Sequence, residues 1–228
     1  MLEILYKDKH LCICRKPAGI PSQPDRTGAI SLLQELESEF GYVGLVHRLD
    51  TPTGGIITYS LSEGATGKLS ALVSDHEAYV KEYLAVSEGI PEGYGGAEMV
   101  MEDLLYHDKI KNKTFAVDKK RAGVKAAKLT CTLVAEVSEP NKEKKKALWK
   151  IRLYTGRTHQ IRAQFATRHA PLSSDGKYGG REKRGDLALW SYKASFKHPV
   201  TGKNISVSSL PDASAYPWCL FYECLSEL

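Results

Sequence analysis

Two stretches combine charged side chains with the tight turns that hold such groups in place. The first is V-H-R-L-D-T-P-T-G-G, residues 46–55. Asp50 follows a short strand and is followed at once by turn residues, so its carboxylate is held on a rigid bend. An isolated Asp in such a place is more often a cap for its own turn. The second is Y-T-G-R-T-H-Q-I-R-A-Q-F-A, residues 154–166. Strand, glycine turn and helix start in this order present N–H groups and the positive end of a helix dipole, with Arg157 at that end. On the helix, Ile161 and Phe165 face a core, whereas His159, Arg162 and Ala166 line a different face. That spacing directs Arg162 away from the apolar side, toward an anion; the plainer role is a surface salt bridge of small value.

Other chemistries lack their motifs. There is no G-x-G-x-x-G, no G-x-S-x-G and no H-E-x-x-H, and G-A-T-G-K-L (64–69) has Ser62 and Leu69 where a P-loop needs Gly and Ser/Thr. H-R-L-D inserts a leucine into the kinase H-R-D, whose other parts are missing. The seven histidines are dispersed and the five cysteines contain no C-x-x-C pair. They read as reduced thiols of a cytosolic protein, with neither a disulfide framework nor a zinc site. Neither a metal nor a cofactor is expected, so the chemistry falls to ordinary side chains.

The elements that must position these groups are those of an ordinary globular chain of 228 residues. No apolar run approaches the ~20 residues of a membrane helix, and the start lacks the pattern of a secretory signal. Strands are expected over Leu2–Tyr6, Leu11–Arg15, Val43–Val46, Ile56–Ser60, Val80–Ser87, Glu98–His107, Ala126–Val137, Leu148–Tyr154, Leu187–Lys197 and Asn204–Ser208. Helices are expected over Ser31–Phe40, from Ser62 to about His76, and over Arg157–Arg168, with a short, partly helical end from Pro211 to Leu228. Lys16–Arg26, with three prolines and a glycine, is a loop. Many strands joined by short turns, with two or three helices, give an α+β fold on a largely antiparallel mixed sheet. Gly89–Gly96 is a candidate joint, but the chain reads as one domain, 1–228.

The net charge of +5 is unevenly spread: His107–Lys150 carries 13 Lys/Arg against 5 Asp/Glu, the remainder 19 against 22. Such a run is either a solvated surface or a seat for a polyanion, since Lys and Arg neutralising phosphates are the main source of nucleic-acid affinity.

Five pieces in order resemble the RluA-type RNA pseudouridine synthase family: L-C-I-C-R-K-P-A-G-I-P (11–21), H-R-L-D with a following T-x-G, K-x-Y-x-A-V (81–86), G-R-T-H-Q-I-R (156–162) and D-G-K-Y-G (175–179). The match runs from about Leu5 to about Tyr192. The resemblance implies the family's catalytic-domain fold, without its S4-like domain. It also implies a reaction that needs no cofactor: a uridine of ribosomal or transfer RNA is isomerised as the N-glycosidic bond breaks, the uracil turns, and C5 bonds to the sugar. On this resemblance Asp50 is the catalytic aspartate, either attacking C1′ or removing the 2′ proton. Arg162 is the arginine that pairs with that carboxylate and favours its charged form. Tyr83 packs on the uracil or assists loss of the C5 proton; its plainer role is a sheet tyrosine of the core.

The target base must leave its stack to be reached, and Arg48 is a candidate to fill the vacated space. Arg48, Lys81, Arg157, His159 and Lys16 are the expected RNA contacts, and the Lys-rich stretch 109–128 is expected to track the backbone. The protein is expected to be a cytoplasmic monomer with no membrane partner. Two departures from the family pattern stand out: Gly54 and Gly55 follow Thr53 where T-S-G is common, and Ser174 precedes Asp175 where G-D is common. The rival readings are a non-catalytic RNA-binding protein on the same fold, and a metal-free hydrolase using His47 or His159 with Asp50.

Overall fold

The alternation near the start becomes an antiparallel ladder, β1 (Glu3–Lys7) against β2 (Leu11–Lys16), in a computed structural model that describes residues 2–26, 28–140 and 145–228. Helix α1 (Leu32–Phe40) starts where the sequence says it should. Ser31 accepts from the Gln34 amide while the Gln34 side chain accepts from the Ser31 amide, a reciprocal cap that satisfies two of the helix's orphan donors. Leu32 and Leu36 bury its apolar side. The chain then runs through β3 (Gly44–Leu45), β4 (Gly54–Ser60) and α2 (Glu63–Ser74). Strand β3 is shorter than the expected Val43–Val46. Beyond Leu45 the amide of Thr58 on β4 is taken not by a strand carbonyl but by the ring Nε2 of His47, at 3.0 Å. The chain thereby leaves the ladder and turns toward Asp50.

The chain folds as two compact units, Met1–Glu82 with Trp190–Pro211, and Tyr83–Leu189 with Asp212–Leu228. Their boundary falls within β5 (Tyr79–Glu88), not at the glycine-rich Gly89–Gly96. In the first unit the strand order is β1-β2-β4-β10, where β10 spans Leu189–Lys197; β3 lies on β4 and β11 (Asn204–Ser208) on β10. All these pairings are antiparallel except β4 with β10. The parallel approach depends on the two glycines after the Asp50 turn. A Cβ on Gly55, whose φ is +110°, would stand 2.3 Å from the Ser191 carbonyl oxygen, and one on Gly54 would stand 2.3 Å from the Trp190 ring. The core of this unit gathers Leu11, Ile13, Ile56, Leu69, Tyr79 and Phe196, with Tyr79 stacked on Phe196 at 4.6 Å.

The second unit is a meander in the order β9-β8-β6-β7, formed by β6 (Met99–Asp108), β7 (Lys113–Val117), β8 (Val124–Val137) and β9 (Lys146–Leu153). Strand β7 was not expected; its residues K-T-F-A-V sit inside the basic run, whose charge hides the alternation. Residues 141–144 of that run lie outside the described residues. Helix α3 (Gln160–Thr167) begins three residues later than expected, because His159 takes a left-handed conformation with φ 52° and breaks the helical path. The chain ends in a short 3₁₀ turn, Trp218–Phe221, and α4 (Tyr222–Ser226), in keeping with the expected partly helical end. Trp149 anchors the core: it is fully buried, its indole N–H donates to Ser87 Oγ at 2.8 Å, and its ring meets Phe165 edge-on.

Candidate active site

In the first unit the residues around Asp50 are fixed from below by the loop after β2. Leu49, buried, donates its amide to Ser22 Oγ at 3.1 Å and accepts the Ser22 hydroxyl on its carbonyl at 2.9 Å. One serine side chain thus does the work of a strand partner. Ser22 is held in turn by Tyr59, whose hydroxyl donates to the Ser22 carbonyl at 2.7 Å. After Asp50 the Thr53 amide closes the bend onto the Asp50 carbonyl at 2.9 Å. The Thr51 carbonyl accepts from the Gly19 amide at 2.8 Å and from Lys16 Nζ at 3.1 Å. The half-buried Asp50 therefore stands on a backbone tied on both sides.

Lys16 is corrected by this geometry. It was expected to touch RNA, but it is 0% exposed and its ammonium donates to the carbonyls of Pro17, Ile20 and Thr51. A charge so placed cannot reach a phosphate; it braces the turn. Burial pushes the Lys16 ammonium down to about 8, and the negative charge of Asp50 works against that fall. His47 is likewise structural: burial and then the nearby Lys81 charge hold it well below the usual imidazole range, so its unprotonated Nε2 can accept the Thr58 amide. Arg48 is exposed. Lys81 is half-buried, with its ammonium 5.2 Å from the Tyr79 ring centroid, and burial pushes it down to about 8.

In the second unit α3 buries every residue from Gln160 to Phe165. The expectation of an open helix face for Arg162 is overturned: its guanidinium is 5% exposed, and its anion in this unit is a side chain of the protein. Nε and Nη2 both donate to the carboxylate of Asp175, each at 2.7 Å, in a two-pronged pair. Asp175, whose side chain is 1% exposed, stands at the N-cap of the 3₁₀ turn Gly176–Tyr178; its side chain makes no capping bond, but its carbonyl accepts the Tyr178 and Gly180 amides. The Tyr178 ring lies beneath the Arg162 guanidinium at 4.9 Å. Its hydroxyl accepts the Thr114 amide at 2.7 Å and meets His159 Nδ1 at 2.9 Å.

His159 is therefore corrected too. It is buried, and burial first, then the positive charges of Arg162, Lys177 and His107, push it down to about 3. A neutral, buried ring locked to Tyr178 is a pillar of the α3 start, not an RNA contact. Nor does the turn before α3 keep its amides free, since the Gln160 side chain accepts the Arg157 amide at 3.0 Å and Arg157 Nε donates to the Ala126 carbonyl. Tyr83, on β5, is 7% exposed.

Sequence reasoning missed Asp175, Ser22 and Tyr178 as parts of these arrangements. Asp175 and Tyr178 lie in the D-G-K-Y-G piece, so the motif marked the place. Ser22 carried no local signal at all. Among the described residues no group of three or more His, Cys, Asp or Glu is placed to hold a metal ion.

Comparison with known proteins defines the class first. The family model for RNA pseudouridylate synthase matches residues 10–167. Solved structures agree in fold: human RNA pseudouridylate synthase domain containing 1 superposes with a TM-score of 0.76 over 93% of this chain and 84% of its own, at 18% identity. The tRNA pseudouridine synthase C of Yersinia pestis is 30% identical over 96% of this chain and 88% of its own length. The dual-specificity RNA pseudouridine synthase RluA of Haemophilus influenzae is 28% identical over 92% and 94%. The chain belongs to the RluA-type RNA pseudouridine synthases, isomerases that turn uridine in RNA into pseudouridine.

Proposed function

We propose that this enzyme isomerises a uridine of transfer or ribosomal RNA, and that Asp50 is the carboxylate that does it. The observation that carries the assignment is the backbone around Asp50. A catalytic carboxylate must be held in one geometry, and here the residues on either side of it are pinned by Ser22, Gly19 and Lys16. A carboxylate that merely capped its own turn would need no such bracing. Asp50 lies within the span of the family match, and by either route, attack on C1′ or removal of the 2′ proton, it acts ionised. Tyr83 and Arg162 are proposed as the other two catalytic residues on the motif match, and Arg48, Lys81 and Arg157 as RNA contacts.

Relatives named for tRNA, for the large ribosomal subunit and for dual specificity support both RNA classes. No helix of the described residues is long and apolar enough to cross a membrane; a cytoplasmic monomer is the setting we propose. The test is chemical mapping of pseudouridine across all RNAs of a strain lacking the protein, complemented with wild type or with Asp50→Ala. One site lost, and restored only by wild type, names the target. A site restored equally by Asp50→Ala removes Asp50 from the mechanism.

A further inference from the structure

We infer that the outward face of the β6–β7–β8 meander, centred on Phe115 and Tyr106, is a platform on which unpaired bases of the RNA stack. The inference rests on the chain acting on RNA and adds where, and by what chemistry, unpaired nucleotides are held. The two faces of the meander differ sharply. One carries Leu105, Ala116 and Ala127, which pack against Ala163 of α3 and against Tyr178. Alternation along the strands puts their neighbours on the other side. There Tyr106 and Phe115 are direct cross-strand partners, and Val124 pairs Tyr106 from the opposite side. Phe115 is 37% exposed, an unusual state for a phenylalanine in the middle of a strand.

Each ring of this face is attended by a cation. Lys113 Nζ, at the strand end, stands 5.7 Å from the Phe115 centroid and 5.1 Å from that of Tyr178 on the inner side, and the Arg121 guanidinium is 4.9 Å from the Tyr106 centroid. Tyr154, next to the β8 edge of this face, has the Arg152 guanidinium at 4.8 Å. Arg121 comes from the β7–β8 loop, which turns through Gly123, whose φ of +83° favours glycine, beside the Tyr106 ring. The acidic Glu102 on the same face is matched by Lys128 at 2.8 Å. Rings for bases, and guanidinium and ammonium groups for phosphates, are the combination that binds single-stranded nucleic acid. The charge fits as well, since this face belongs to the stretch with 13 Lys/Arg against 5 Asp/Glu. A duplex, whose bases are already stacked on one another, gains nothing from the rings.

The probe is a fluorescently labelled oligouridylate of roughly a dozen residues, set against a duplex RNA of the same length. Phe115→Ala is expected to weaken oligouridylate binding about tenfold and duplex binding by less than about twofold. Phe115→Trp is expected to restore it. Arg121→Gln should lower the salt dependence of oligouridylate binding by about 0.7 in log–log slope. Phe115 lies on the edge strand, and an unchanged melting temperature for Phe115→Ala shows that the variant is folded. Equal loss on both RNAs, no loss on either, or no binding of oligouridylate by the wild type overturns the platform. Asp50→Asn separates this inference from the catalytic one: it should bind oligouridylate as wild type does while forming no pseudouridine. A wild-type protein that isomerises uridine but shows no dependence on the Phe115 ring sinks the platform and leaves the enzyme standing.

Discussion

Asp175→Asn removes one charge of the buried Arg162–Asp175 pair and nearly none of its volume. Both side chains are almost without solvent contact, 5% and 1% exposed, and both donor–acceptor distances are 2.7 Å. Breaking a buried ion pair by removing one partner costs about 3–5 kcal/mol. Asparagine still offers one carbonyl oxygen to the guanidinium, which places the expected loss near the lower end, about 3 kcal/mol. Against the ~5–15 kcal/mol that holds a typical domain together, this is a large share. The chain has two compact units, so the assay should resolve them. Hydrogen exchange of the α3 amides, Gln160–Thr167, read alongside urea unfolding, localises the loss to the second unit. Replacing both partners with apolar residues of similar size, Arg162→Met with Asp175→Leu, should recover part of the stability lost by Asp175→Asn, because the buried pair is then removed as a unit. A loss below about 1 kcal/mol for Asp175→Asn would refute the reasoning, since that is the value of an exposed pair.

The remaining expectations concern the same scaffold. His159 is held neutral, at about 3 against an ordinary 6.5, so the unfolded chain takes up its proton first as the solution is acidified. Stability should therefore fall as pH drops below about 6.5, by up to ~1.4 kcal/mol per pH unit from this group. His159→Asn, a residue that tolerates the left-handed backbone, should flatten that dependence between pH 7 and about pH 5; parallel melting curves for the two proteins would count against it. Ser22→Ala should cost about 1–3 kcal/mol by leaving the buried Leu49 amide and carbonyl unpaired, and should lower kcat on RNA with binding unchanged. Gly55→Ala drives a Cβ into the Ser191 backbone and should prevent stable folding of the first unit, whereas Gly67→Ala, in α2 with nothing within 4 Å, should stabilise by about 0.5–1 kcal/mol; denaturant midpoints read both.

Much of the fold was legible because its signals are local. Ser31 with Gln34 announces α1, alternation announces β2 and β8, and Asn204–Ser208 is a strand with the bounds its pattern suggests. What was not legible depends on partners distant in sequence. Lys16 and His159 look like surface residues because their types usually are; only tertiary hydrogen bonds, to Thr51 and to Tyr178, make their burial tolerable. The late start of α3 follows from one left-handed residue, His159; histidine enters that conformation more readily than most residues, but nothing in the flanking sequence shows that this one does. Asp175 and Arg162 are thirteen residues apart, and nothing in either flank shows that a 3₁₀ turn, Gly176–Tyr178, fixes the segment that carries the aspartate. For the candidate site, motif order marked the segments, while the hydrogen-bond partners of individual polar residues waited on the geometry.

The most direct test of the central claim uses the purified protein and RNA extracted from cells that lack it. Asp50→Asn keeps the shape of the turn and removes only the carboxylate's charge. RNA binding and pseudouridine content are measured side by side, the latter by mass spectrometry of nucleosides. The account predicts wild-type binding with pseudouridine formation abolished in the variant and present in the wild type. Pseudouridine formed by Asp50→Asn at the wild-type rate would contradict it.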